Sequence, residues 1–189
     1  MPTHPFSTAG RPAWLTLDMD GVPAELRRQG WVGWRGELGD DGKWKKPPRQ
    51  IGFPAELASN SKPEHWRNEG DVREVLALAP ELFDGFGVVL TATANITFID
   101  LDDVRDPNTG AIEPWAIRMV NVFDSWTEIS VSGEGLHIFV HGRLPGDGLV
   151  NYLDGDPSKR SRSTTARDSR ISRATLSSRC VRSLNASDS

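Results

Sequence analysis

Phe98-Ile99-Asp100-Leu101-Asp102-Asp103 is a short apolar run that ends in acids. Alternate residues of a strand share a face, so a strand here sets Asp100 and Asp102 side by side, about 7 Å apart. Two carboxylates at the end of an apolar strand form a cradle for Mg²⁺, a hard ion that takes carboxylate oxygens together with substrate phosphates. An isolated Asp-x-Asp is more often a solvated turn, so its meaning depends on its company. Upstream, Phe86-Gly87-Val88-Val89-Leu90 is a second apolar run, and Thr91 to Asn95 break the two apart. The pair reads as strand, turn, strand.

Downstream, Glu113 to Phe123 carries apolar residues at Trp115, Ile117, Met119, Val120 and Phe123, which predicts a helix. Thr127 to Val131 and Leu136 to Val140 read as two more strands. Between them lies Ser132-Gly133-Glu134-Gly135-Leu136-His137. Glycines at 133 and 135 let backbone N–H groups approach a phosphate, and Ser132 and His137 can both donate to its oxygens. Taken alone, this is as easily a hairpin turn followed by a strand with a structural histidine. His141 shares the face of His137 and is read as structural. On the N-terminal side, Trp31-Val32-Gly33-Trp34-Arg35 predicts a strand. Lys43-Trp44-Lys45-Lys46-Pro47-Pro48 reads as a basic, aromatic extended segment whose lysines suit phosphates. Ser61-Lys62-Pro63-Glu64 predicts a helix start, with the helix running from Pro63 to about Leu78. Trp31, Trp34, Trp115 and Trp126 are assigned to the core. Strands and helices mix without a regular strand-helix-strand repeat, which gives an α+β class.

Composition bounds the rest. The chain has 189 residues and one cysteine, Cys180, which excludes an internal disulfide framework and a cysteine-cluster zinc site. No run approaches the length of a membrane span, and the N-terminus lacks a secretory signal, so a cytoplasmic location is expected. The net charge of −4 hides a split: the segment from Ser158 carries eight Lys or Arg against two Asp, so the remainder is −10. That segment has ten Ser and seven Arg among 32 residues, no aromatic residue and no periodicity. It is expected to stay disordered. The division is therefore a loose stretch over 1–16, one domain over 17–157 and an Arg/Ser-rich tail over 158–189.

The strand Asp-x-Asp followed 30 residues later by Ser-Gly-x-Gly-x-His resembles motifs I and II of the archaeo-eukaryotic primase superfamily. Val22-Pro23-Ala24-Glu25-Leu26, Trp31 to Arg35, Lys43 to Pro48 and Gly85-Phe86-Gly87-Val88 resemble the N-terminal region of its phage and plasmid primase-polymerases. The resemblance covers about Val22 to Asp156. It implies an RRM-like core with a mostly antiparallel sheet and flanking helices. It implies template-directed, metal-dependent nucleotidyl transfer in phage or plasmid replication. Asp100 and Asp102 would be metal ligands for Mg²⁺ or Mn²⁺, with His137 beside them as a catalytic residue. Ser132, Gly133, Gly135 and His137 would bind the nucleotide, joined by Lys45 and Lys46. Nucleoside triphosphates, a single-stranded DNA template and a helicase are the implied partners.

The family's third motif, a hydrophobic-Asp pair on a later strand, is not found; Asp154, Asp156 and Asp168 lie in no apolar run. The domain is therefore expected to be incomplete at its C-terminus and impaired. Shifting the reading frame across Arg160 to Ser169, with permitted codons, spells Val-Glu-Val-Tyr-Asp-Ser-Ala-Arg-Phe, an alternating strand with a Tyr-Asp. The tail is accordingly expected to be out of frame or truncated. Two other readings are open. One is a catalytically dead remnant that still binds nucleotide or nucleic acid. The other is a haloacid-dehalogenase-type phosphatase, whose nucleophile motif Leu17-Asp18-Met19-Asp20-Gly21-Val22 mimics. That family leaves Ser132 to His137 unexplained.

Sequencing the coding DNA from the Val140 codon past the stop tests the frame. A single-base shift should restore Val-Glu-Val-Tyr-Asp and a long open frame. An intact frame on independent clones overturns the expectation.

Overall fold

The computed structural model describes residues 11–143 and the backbone of three later strands, Leu149–Tyr152, Arg160–Thr165 and Ser172–Leu176. The first ten residues, Asp154, Asp156, Asp168 and the rest of the expected tail lie outside the described residues. In chain order the strands are β1 (Gly30–Trp34), β2 (Glu37–Leu38), β3 (Trp44–Lys45), β4 (Pro48–Gln50), β5 (Phe53–Leu57), β6 (Gly85–Leu90), β7 (Ile96–Leu101), β8 (Trp126–Ile129) and β9 (Leu136–His141). They are followed by β10 (Leu149–Tyr152), β11 (Arg160–Thr165) and β12 (Ser172–Leu176). The helices are α1 (Ala24–Arg27), α2 (Glu69–Leu78) and α3 (Pro114–Phe123).

The α+β class and the antiparallel pairing agree with the sequence. The strands, however, form two five-stranded antiparallel sheets rather than one central sheet. Their orders are β12-β6-β1-β4-β5 and β10-β11-β7-β9-β8, with β2 and β3 as a separate hairpin. The apolar runs of β6 and β7 follow one another in sequence but belong to different sheets. Asn95, in the left-handed conformation at φ 52°, ends the turn between them. The reason lies in burial. All six residues of β6 are buried and β7 is buried at all but Asp100, so both strands have two covered faces.

One core cluster joins the facing sides of the sheets. Trp31, Phe86, Val88 and Leu90 of the first sheet pack with Ile96, Phe98 and Phe139 of the second, closed by Leu26 of α1 and Val72 of α2. The alternate residues of β7 and β9, Ile99, Leu101, Leu136 and Ile138, face the other way and pack on Ala116 and Val120 of α3. Asp100 and His137 have the parity of Phe98 and Phe139 and so belong to the inner face between the sheets.

Two expectations change. The helix expected from Pro63 is a single turn over Pro63–His65, and the real helix starts at Glu69. Ser61 spends its hydroxyl on Ser59, whereas Asn68 caps α2 through the Asp71 N–H and Asp71 returns a bond to the Asn68 N–H. That reciprocal capping box outcompetes the Ser-Lys-Pro-Glu signal. Within the segment expected to stay disordered, β11 lies along β7 and β12 along β6. Strand pairing uses backbone groups, which every non-proline residue has, and β6 and β7 would otherwise present open edges. Leu17 to Val22, the phosphatase-like stretch, is not a strand: Asp18 caps a short turn over Met19–Gly21.

Asn68→Ala should lower the unfolding free energy by about 1 kcal/mol, while Ser61→Ala should change it by a few tenths. Urea denaturation of the two variants checks this, and the reverse order would place the helix start at Ser61.

Candidate functional site

The β7–β9–β8 register fixes a row of side chains. Asp100 pairs with His137 across β7 and β9, and His137 pairs with Glu128 across β9 and β8. Directly opposed residues share a face, so all three are aligned on the inner face of the second sheet. The Nδ1–H of His137 donates to Glu128 Oε1 at 2.9 Å, and Nε2 faces Asp100 Oδ1 at 3.5 Å. The Phe98 ring meets the imidazole nearly edge-on, with centroids 5.0 Å apart. Burial is graded along the row: the side chain of Glu128 is 0% exposed, that of His137 7% and that of Asp100 20%. Asp100 is therefore the acid of the row that reaches solvent.

Burial by itself would push the His137 imidazole down. The hydrogen bond and charge of Glu128, with the charge of Asp100, more than offset that, and Lys46 acts against them. The net direction is up from the ordinary imidazole value. The His137–Glu128 coupling thus favours the folded state fully below the ordinary imidazole range, and fades as pH rises through the raised folded value.

The Ser132–Gly135 turn connects β8 to β9 beside this row. Gly133 has φ 83°, a left-handed conformation that suits glycine. A Cβ on Gly135 would sit 2.6 Å from the Leu101 carbonyl oxygen, so the turn lies against the end of β7 with no room for a side chain. Ser130 Oγ accepts from the Gly135 N–H at 3.0 Å and contacts Ser132 Oγ at 3.0 Å. From the other side, the Val104 and Arg105 N–H groups donate to the Glu134 carbonyl, and Arg105 Nη1 donates to the Gly133 carbonyl at 2.7 Å. The glycine turn and the acidic turn after β7 are thereby one tied unit, with the Ser132 side chain left exposed.

Asp102 is placed differently from its expected strand position. β7 ends at Leu101, and Asp102 and Asp103 form a turn in which Asp103 has φ 54°. The strand parity argument therefore does not reach Asp102. Among the described residues, no group of three or more His, Cys, Asp or Glu is arranged to hold a metal ion. The two basic candidates also separate. Lys45 is exposed on the β2–β3 hairpin, with Nζ 4.0 Å from Asp41. Lys46 lies over the Trp14 ring, 4.7 Å from its centroid and 6.0 Å from that of Trp34, and its charge bears on His137. Trp14 and Glu128 are the residues that sequence reasoning missed. The signal for Glu128 was a lone acid within the apolar strand Trp126-Thr127-Glu128-Ile129. His141 pairs with Glu25 at 2.8 Å at the far end of β9, in keeping with a structural role.

Gly135→Ala should destabilise the protein by about 1–3 kcal/mol, since backbone must move to admit the methyl group. Gly42→Ala, with nothing near its would-be Cβ, should cost about 1 kcal/mol for its φ of 73° alone. Urea midpoints check both, and equal costs would mean that the turn does not press on β7.

No protein-family model matches the chain. Among the described residues no helix is long and apolar enough to cross a membrane. Over 132 residues, 69% of its length, the chain is 36% identical to the DNA primase-polymerase of Nitratiruptor phage NrS-1. The aligned stretch is 17% of that relative, so the chain spans a small part of the relative's length. An α+β chain carrying an aspartate, a histidine and a glycine turn at one sheet end is thus related in sequence to a phage DNA primase-polymerase.

Proposed function

We propose that residues 17–157 form a primase-polymerase-like nucleotide-binding domain of the archaeo-eukaryotic superfamily, with an RRM-like core. Its ancestral activity is template-directed nucleotidyl transfer in phage or plasmid replication. The observation that carries the reading is the Asp100–His137–Glu128 row abutting the Ser132–Gly135 turn, in a chain similar to a phage DNA primase-polymerase. Asp100, solvent-reaching at a strand end, and Asp102 in the adjoining turn supply the oxygen donors that suit Mg²⁺ or Mn²⁺. The ion would neutralise charge on a bound triphosphate there. His137 Nε2, the Ser132 hydroxyl and the backbone N–H groups of the glycine turn would hold the phosphate oxygens. Lys46, steadied on Trp14, would add a positive charge, whereas Lys45 belongs to the hairpin surface and would reach template. A single-stranded DNA template and a helicase are the partners this reading proposes.

A second reading, a nucleotide-binding remnant without catalysis, is favoured by one observation. The position across from Asp100 on β11 is Arg162, a residue that cannot ligate a cation. In the shifted frame, the second codon of Val-Glu-Val-Tyr-Asp takes the last base of Ser161 and the first two of Arg162. The restored Glu would then fall at that register position. This supports a site that loses an acid when the frame is lost, and therefore an impaired chain.

Calorimetric titration of a nucleoside triphosphate, with and without Mg²⁺, tests the assignment. Asp100→Asn and Asp102→Asn should each weaken Mg²⁺-dependent binding on the order of tenfold, the effect of losing one charged contact. Lys46→Met should weaken binding in both conditions, and Lys45→Met should leave it unchanged. Unaltered Mg²⁺-dependent binding in the Asp100/Asp102 double variant would refute the site. Metal-dependent incorporation on a single-stranded template would exclude the remnant reading.

A further inference from the structure

A fully buried carboxylate is costly unless something repays its lost hydration. Glu128 is such a group: its side chain is 0% exposed, within a strand whose other inner and outer residues are apolar or threonine. Strand pairing uses backbone groups and does not itself call for an acid there. A leucine would pack against the Phe98–Phe139–Trp126 aromatic group on the same face. What the acid does is grip His137 at 2.9 Å through Nδ1. That bond fixes the ring's rotation and leaves Nε2 as the nitrogen on the ligand side, where it donates to a phosphate oxygen when the ring carries both protons. At 3.5 Å from Asp100, Nε2 makes only a long contact there. Phe98 blocks the ring from the third side, so a single rotamer is held between an aromatic edge and a carboxylate.

We propose that Glu128 is a positioning residue: it never touches the nucleotide, and it fixes the His137 imidazole so that Nε2 meets the triphosphate. This rests on the reading of His137 as a triphosphate ligand. The charged groups around the ring are Glu128 from β8, Asp100 from β7 and Lys46 from the segment before β4, and none of the other two can replace Glu128 at Nδ1.

A double-mutant cycle on the full chain separates this from a purely structural role. The probe is a non-hydrolysable nucleoside triphosphate with Mg²⁺, titrated into wild type, Glu128→Gln, His137→Asn and the double variant, each checked for thermal stability. Glu128→Gln keeps shape and burial and should raise Kd on the order of tenfold, as loss of a ligand-orienting partner does. In the His137→Asn background the same change should move Kd less than twofold. Equal weakening in both backgrounds would mean that Glu128 acts through the fold and would overturn the inference. If His137→Asn weakens binding but Glu128→Gln does not, the positioning role is wrong and the site stands. If His137→Asn leaves Kd unchanged, the site reading itself fails. Nitrogen NMR of the wild-type ring needs no variant: the neutral imidazole should carry its proton on Nδ1, and the Nε2–H tautomer would overturn the inference even if Glu128→Gln failed to fold.

Discussion

The hydrogen bond from His137 to the buried Glu128 is the constraint around which the site is organised. It places a charged or strongly polar pair inside a sandwich otherwise filled by Trp31, Phe86, Phe98 and Phe139. Such a pair tolerates little error, since a missing partner would leave a buried charge alone. It therefore enforces the register of three strands at once. A one-residue slip of β9 would turn His137 toward α3 and carry Ile138 or Leu136 to the inner face, away from both Glu128 and Asp100. The glycine turn depends on the same register. Gly135 can rest against the Leu101 carbonyl only because Leu136 pairs with Leu101.

From that register the rest of the mouth follows. β7 emerges between the sheets with Asp100 as its last inward residue, and its chain then turns through Asp102 and Asp103. Across the gap, the first sheet ends its strands at Trp34 and Gly85. There Asp84 accepts the Gly36 N–H at 2.6 Å and binds Arg11 at 2.7 Å. Trp14 leans edge-on to Trp34, with centroids 5.4 Å apart, and Lys46 lies on Trp14. Lys46 and Trp14 thus gather beside Trp34 of the first sheet, and the charge of Lys46 bears on His137 of the second.

Much of this was legible from residue order alone, and the failures share a cause. β1, β6, β7 and β9 were readable as short apolar runs rich in β-branched and aromatic residues, and α3 from its spaced apolar residues. Asp100 and His137 were readable as candidates because glycine, acid and histidine stood out against apolar strands, and the register brings the two together. Asp102 was misplaced because strand parity says nothing of where a strand stops, and the left-handed Asp103 stops this one. Glu128 was invisible because its meaning lies in a cross-strand partner nine residues away, not in its neighbours. The division into two sheets was hidden for the same reason: adjacency in sequence suggested that β6 and β7 belonged together, whereas burial on both faces sends each to its own sheet. The helix start failed through competition: two capping signals lie seven residues apart, each with an acid three residues on, and only Asn68 and Asp71 close the reciprocal bonds.

The C-terminal strands are defined by backbone pairing. Serine and arginine have little strand preference, yet 160–165 and 172–176 complete the edges of β7 and β6. A vacant edge on a buried strand is a row of unsatisfied N–H and C=O groups, and almost any extended segment answers that demand. Chemistry is less forgiving than hydrogen bonding. Pairing β11 to β7 brings position 162 level with Asp100, where arginine stands in this chain. The same segment thus completes the backbone pairing of the sheet while placing arginine level with Asp100.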